Sequence, residues 1–227
     1  MSRRPPSMTL EQAARGLLGL AQTASKLKST LRTGWLDRGI SPRETESVAD
    51  HSLGVALLAW ASALEARDRG ANIDPERVLK LAIVHDLAEA ETGDIPPYAH
   101  EDVPVIENPD AREAFLNLRH VRDPERNSAK RAAEQAAMQR LLATLPAAPR
   151  REIEEIWNEL RAGTSRESRF VKQVDRLETF LQSRSYQATT PDLPVDSFRK
   201  EVSELVDDPL LAAIRDAAMT PDDCPKG

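Results

Sequence analysis

Leu81-Ala-Ile-Val-His-Asp-Leu-Ala-Glu-Ala-Glu-Thr-Gly-Asp-Ile-Pro96 decides how this chain folds. Val78, Leu81, Ala82 and Leu87 recur at helical spacing around His85. Upstream, Asp74 suits an N-cap and Pro75 the first helical position. Gly93 marks a stop, so the spacing predicts one helix over 74–91, followed by a polar, proline-bearing loop over 94–110. Asp86 stands inside the apolar run, directly after His85. A carboxylate is rarely buried unless it is paired or coordinates a metal. The stretch therefore reads as a core helix and as a candidate site at once.

The same period continues on both sides. Helices are expected over 9–31, with Leu10, Ala13, Leu17, Leu20 and Leu27 on one face, and over 46–68, with His51 among Val48, Val55 and Leu58. Arg32-Thr-Gly-Trp-Leu-Asp-Arg-Gly-Ile-Ser-Pro-Arg-Glu44 between them reads as a loop. Further helices are expected over 110–121, 124–145, 149–162 and 165–187. The last carries Phe170, Val171, Val174, Leu177, Phe180 and Leu181, and Asp175 interrupts that stripe. Thr189-Thr-Pro-Asp-Leu-Pro194 reads as a linker before a pair of helices over 196–206 and 208–218. Glycine is scarce (9 of 227 residues) and no period-two alternation or hairpin turn is found, so the fold class is all-α. We expect a disordered start over 1–8, one helical domain over 9–188, and a C-terminal helical extension with a flexible tail over 189–227.

Composition narrows the function. The net charge of −6 argues against binding a nucleic-acid polymer, and Trp 3, Tyr 2 and Phe 4 are too few for a base-stacking platform. No apolar run approaches the ~20 residues a membrane span needs, and no apolar segment follows the charged start. The one cysteine, Cys224, lies in a polar tail and forms no internal disulfide, which points to a reducing cytoplasm.

His51, His85, Asp86 and Asp175 together bring two imidazoles and two carboxylates to inward faces of three helices. Such a donor set suits Mn, Fe, Co, Ni or Zn with water in the open positions. Singly, each has a plainer reading, as a satisfied core histidine or an aspartate paired with arginine.

In order along the chain, His51, His85-Asp86 and Asp175 resemble the HD-domain metal-dependent phosphohydrolases. Glu46-Ser-Val-Ala-Asp-His-Ser52, the stretch over 81–96 and Phe170-Val-Lys-Gln-Val-Asp-Arg-Leu-Glu178 are similar to the 5′-deoxynucleotidase branch. The resemblance covers about residues 12–187. It implies a single HD-domain helical bundle that binds one divalent cation per chain (Mn, Co, Fe, Ni, Zn or Mg) through those four residues. It also implies a nucleoside monophosphate substrate, with deoxyribose selectivity as the branch's mark, and a homodimer. Ala132–Ala148 and the C-terminal helices are the candidate dimer surface.

Glu89 matches the family's catalytic acid, and it also fits an i,i+4 surface partner of His85. Asp94 matches an aspartate that reads the sugar, and it also fits a turn residue after Gly93. Trp35 matches a tryptophan beside the nucleotide, and it also fits a core plug. Some members carry an arginine directly before that tryptophan to hold phosphate, where this chain has Gly34. Arg32, Arg38, Arg43 and Lys172 are the candidates for that contact. Other readings are hydrolysis of a nucleoside triphosphate or alarmone, a di-iron HD-type oxygenase using His100 and His120, and a non-catalytic nucleotide-binding module.

Overall fold

The computed structural model describes residues 8–219, which form helices and no β-strand. The expected disordered start and flexible tail, with Cys224, lie outside the described residues except for Met8.

Helix α1 spans Leu10–Leu27 and begins with a capping box between Thr9 and Gln12. It stops short of the expected end at 31, because the Ser29 and Thr30 hydroxyls donate to the Lys26 carbonyl. The expected apolar face holds only towards the end of the helix, where Leu27 is buried and Leu20 packs on the core, while Leu10 and Leu17 are exposed. Gly16 makes the close approach instead. A β-carbon there would fall against the Thr144 carbonyl, whereas one at Gly19 would meet nothing nearer than the Thr144 hydroxyl at 3.9 Å. Gly16→Ala is therefore expected to lower stability by about 1–3 kcal/mol, while Gly19→Ala raises it by up to ~1 kcal/mol through helix propensity. Denaturant melts of the two variants check this. Equal behaviour at both positions would show that α1 shifts freely.

The segment read as a loop contains a short helix, α2, at Thr33–Asp37. Its first turn is fixed from afar, because Thr33 N–H donates to Asp94 Oδ2 (2.6 Å). Helix α3, Val48–Asp68, starts at a Ser47/Asp50 capping box and carries His51 in its first turn. Helix α4, Pro75–Val84, has the expected Asp74 cap, whose carboxylate accepts from the amides of Glu76 and Arg77.

The expected continuous helix to 91 breaks here. From Val84 the backbone tightens to i→i+3 bonds, with Leu87 N–H to Val84 O (3.1 Å) and Glu89 N–H to Asp86 O (2.9 Å). Four helical residues, α5 at Glu89–Thr92, follow before Gly93 turns the chain out at φ +73°. In such tight winding, residues three apart eclipse. Glu89 thus lines up with Asp86, not with His85 as α-helical spacing predicted.

Helices α6 (Pro109–Leu116), α7 (Pro124–Thr144), α8 (Ala147–Ala162) and α9 (Arg166–Thr189) complete the bundle. Helices α10 (Asp196–Leu205) and α11 (Pro209–Met219) pack against α9, and their Val202, Val206 and Leu211 join its Val174, Leu177 and Phe180 in one core. Of the Ala-rich stretch, Ala137 is buried beside Met138 and Leu142, while Ala132, Ala133, Ala143, Ala147 and Ala148 are exposed. No helix among the described residues is long and apolar enough to cross a membrane.

Candidate metal centre and nucleotide cleft

Three helical segments bring the four expected ligands together. His51, from α3, is fully buried, and its Nε2 lies 3.1 Å from Asp175 Oδ1 on α9 and 3.8 Å from Asp86 Oδ2. His85 Nε2 lies 3.1 Å from the same Asp86 oxygen. One ligand atom each from His51, His85 and Asp175 falls within 4.8 Å of the others.

The far side of each imidazole is already committed. His51 Nδ1 lies 2.5 Å from Glu178 Oε2, and His85 Nδ1 lies 2.6 Å from the Ala82 carbonyl. Donation through Nδ1–H leaves both Nε2 lone pairs facing the cluster, the tautomer a metal ligand needs. His85 Nε2 is buried with no hydrogen-bond partner: Asp86 is near enough, but not aligned. His51 Nε2 is within hydrogen-bond distance of Asp175 Oδ1, His85 Nε2 is left over, and donors that converge on one point in this way fit a cation among them. Glu178 was not singled out in the sequence. Its signal was Gly54, one turn beyond His51, where a β-carbon would lie 2.5 Å from Glu178 Oε1.

Burial would lower the His51 pKa, as would Arg32, but Asp175 and Glu178 outweigh both and push it up to about 10. Asp86 is held well below the usual carboxylate range. Burial opposes that shift, and the two histidines and Arg32 overcome it.

Glu89 is buried, not a surface partner. One of its oxygens accepts from Lys130 Nζ (3.1 Å) on α7, and the other has no hydrogen-bond partner. Burial, then repulsion from Asp86, pushes its pKa up to about 8, against the pull of Lys130. Lys130 was missed in the sequence, where it sits in an ordinary charged stretch of α7 and is also an i,i+4 partner of Glu134 (3.3 Å).

A cleft of about 310 Å³ opens over these groups, and Arg32, Trp35, Asp94, Asp86, Glu89 and Asp175 all line it. Arg32 Nη1 stands 3.8 Å from Asp86 and 3.7 Å from Asp94. Burial works against its charge, but Asp94, Asp86, Glu89 and Asp175 raise its pKa further. Asp94 is fixed by α2: one oxygen accepts from the Thr33 amide, and its own carbonyl accepts from the Thr33 hydroxyl (2.8 Å). Trp35 is buried between Tyr186 and Phe198, with its indole N–H on Glu46 (2.7 Å).

The other cations lie differently. Arg38 spends its donors on the carbonyls of Gly34, Leu116 and Pro194 and on the Ser197 hydroxyl. Arg43 is exposed and lines no cleft described here. Lys172 lines a second cleft, on the α7–α8–α9 side. His100 pairs with Asp37 (3.5 Å) and His120 with the Phe115 carbonyl (2.8 Å), so neither joins the candidate metal group.

The chain is similar to the 5′-deoxynucleotidase HDDC2 of Bos taurus, at 33% identity over 188 residues, covering 82% of this chain and 76% of that one. The Homo sapiens protein of the same name is 33% identical over 174 residues, covering 77% and 70%. Among solved structures, a conserved hypothetical protein from Pyrococcus furiosus superposes with a TM-score of 0.62 at 26% identity, covering 88% of this chain and 98% of that one. A family model described as the HD domain matches residues 24–209, which takes in every element that carries the cluster, and the chain belongs to the HD-domain family.

Proposed function

We propose that this protein is a metal-dependent 5′-nucleotidase that releases phosphate from nucleoside 5′-monophosphates, with deoxyribonucleotides preferred. The observation that carries the reading is one cleft lined by Asp86 and Asp175 of the four convergent donors, by the buried Glu89 carboxyl group and by the Arg32 guanidinium. Similarity to named 5′-deoxynucleotidases supports the choice of substrate.

In this reading His51, His85, Asp86 and Asp175 hold one divalent cation. When bound, that cation lowers the pKa of a coordinated water and neutralises phosphoryl charge. Arg32 faces the phosphate, because it alone of the four arginine and lysine candidates has its head among the cluster carboxylates. Water oxygen bonds to phosphorus, the bond from phosphorus to the 5′ oxygen breaks, and that oxygen takes a proton. Glu89 handles the proton, with Lys130 fixing one of its oxygens. Trp35 and Phe198 wall the nucleoside end. Residues 9–188 carry the reaction, and the extension over 189–227 supplies Phe198 and Glu201 to the cleft.

Asp94 is assigned to the sugar. With one oxygen on Thr33, the other is left to accept from the 3′-hydroxyl, and the fixed turn crowds a 2′-hydroxyl. A phosphate-release panel of dNMPs and NMPs, crossed with Mn, Co, Mg, Fe, Ni and Zn, tests the reading. We expect higher kcat/KM for dAMP than for AMP, and Asp94→Ala lowers the dAMP value most. Equal losses on both sugars would reduce Asp94 to a loop support. A wild type that prefers AMP would overturn the deoxynucleotide assignment.

We further assign a second copy of the chain as partner, in a cytoplasmic setting. Leu53, Leu57, Trp60 and Leu64 stand exposed on α3 at 4-3-4 spacing, a stripe that packs on its own copy. Light scattering should give a dimer mass that falls to the monomer in Leu57→Glu. A monomeric wild type removes the assignment.

A further inference from the structure

The second cleft, of about 400 Å³, meets the first at Asp86, Lys130, Asp175 and Arg176, and then runs between α7, α8 and α9. Its walls differ sharply from those around Trp35. Arg122, Arg131, Arg161 and Lys172 line it, and Glu134 is the one carboxylate added beyond the shared pair. On a chain of net charge −6 this is a local surplus of positive charge.

These cations are only partly spent. Arg131 and Arg161 donate to each other's carbonyl oxygens (3.0 and 3.1 Å), and Arg161 also lies 3.9 Å from the Glu134 carboxylate. Arg122 donates to the Ile95 carbonyl, and its buried Nε has no partner. The Lys172 ammonium makes no hydrogen bond or ion pair among the described residues, and burial together with Arg131 and Arg176 lowers its pKa against the pull of Asp175. The sequence keeps room for it: a β-carbon at Gly163 would lie 2.6 Å from its Nζ. Arg122, Lys130, Arg131, Arg161, Lys172 and Arg176 outnumber Asp86, Glu134 and Asp175 along this cleft, and such a surplus of cations suits an anion.

We propose that this cleft is a binding site for inorganic phosphate and the route by which that product leaves the centre. The inference rests on the phosphohydrolase reading. Phosphate freed beside Asp86 and Asp175 meets a cationic channel on one side and the nucleoside on the other. The nucleoside, walled by Trp35 and Phe198, departs through the first cleft. Arg131 and Lys172 then bind only the released ion, and the two products occupy the enzyme together.

Calorimetric titration of inorganic phosphate into the metal-loaded protein, combined with product inhibition of dAMP hydrolysis, tests this. Charge-assisted contacts at a partly exposed site predict that Arg131→Ala and Lys172→Ala each weaken phosphate binding, and raise its inhibition constant, by about three- to ten-fold. Inhibition by deoxyadenosine should not move, and phosphate and deoxyadenosine should inhibit together and not exclude each other. Phosphate binding unchanged in both variants overturns the proposal. A KM for dAMP that rises in step with the phosphate constant overturns it too, and reassigns the cleft to the substrate's own phosphate. If no nucleotide is hydrolysed at all, the phosphohydrolase reading fails, and that result is separate from the calorimetric one.

Discussion

Asp175→Asn is expected to abolish metal binding and turnover together while the helical circular dichroism persists. The substitution keeps the shape but removes the negative charge that faces His51 at 3.1 Å. Both imidazoles are already oriented for a cation by Glu178 and Ala82, so the loss falls on affinity and not on their placement. Losing one carboxylate ligand exceeds the ~10- to 100-fold cost typical of a lost outer partner such as Glu178. Metal content by elemental analysis, beside phosphate release, checks the outcome. Metal and activity that survive the change remove Asp175 from the ligand set.

The second large effect belongs to Glu89. Glu89→Gln should keep the metal and nucleotide binding but lose about 10²–10⁴-fold in kcat, the usual contribution of a general acid–base group. Its buried carboxyl also gives a stability signature. The folded pKa, about 8, lies above the ordinary value of 4.5. The folded state therefore favours the protonated form. That advantage is complete below about 4.5 and is lost as pH rises through 8. Glu89→Gln cannot ionise, so its Tm should exceed that of wild type at pH 8 by more than at pH 5. A variant that turns over within a few-fold of wild type, or whose Tm difference is the same at both pH values, removes this role.

The elements that carry the cluster were legible because they are local and periodic. Asp74 before Pro75, the stripe around His85, and Asp175 inside the α9 stripe depend on residues within a few turns. What the sequence hid depends on distant partners. Helix α2 exists because Asp94 caps Thr33 from 61 residues away. Lys130 reaches Glu89 across 41 residues, and nothing in the neighbourhood of either announces the other. Glu178 sits 127 residues from His51 and left only the trace of Gly54. The tightened turn after Val84 looks, as sequence, like ordinary helix, since every residue in Val-His-Asp-Leu-Ala-Glu tolerates both windings. On α1, counting leucines found Leu20 and Leu27 but also took in the exposed Leu10 and Leu17, and it missed the close contact, which belongs to a glycine.

Arg38 has a bearing on how such a chain diversifies. Its guanidinium stitches the segment before the metal centre to Pro194 and Ser197 and lies 4.3 Å over the Phe198 ring. The four candidate ligands all precede residue 176, and the last forty described positions add Ser197, Phe198 and Glu201 to the cleft. The later stretch thus completes a cleft whose candidate ligands and sugar-facing Asp94 lie earlier in the chain, and Arg38 is one of the groups that join the two. Drift in the later stretch can retune which nucleotide is admitted without touching a ligand, as long as Arg38 still finds its acceptors.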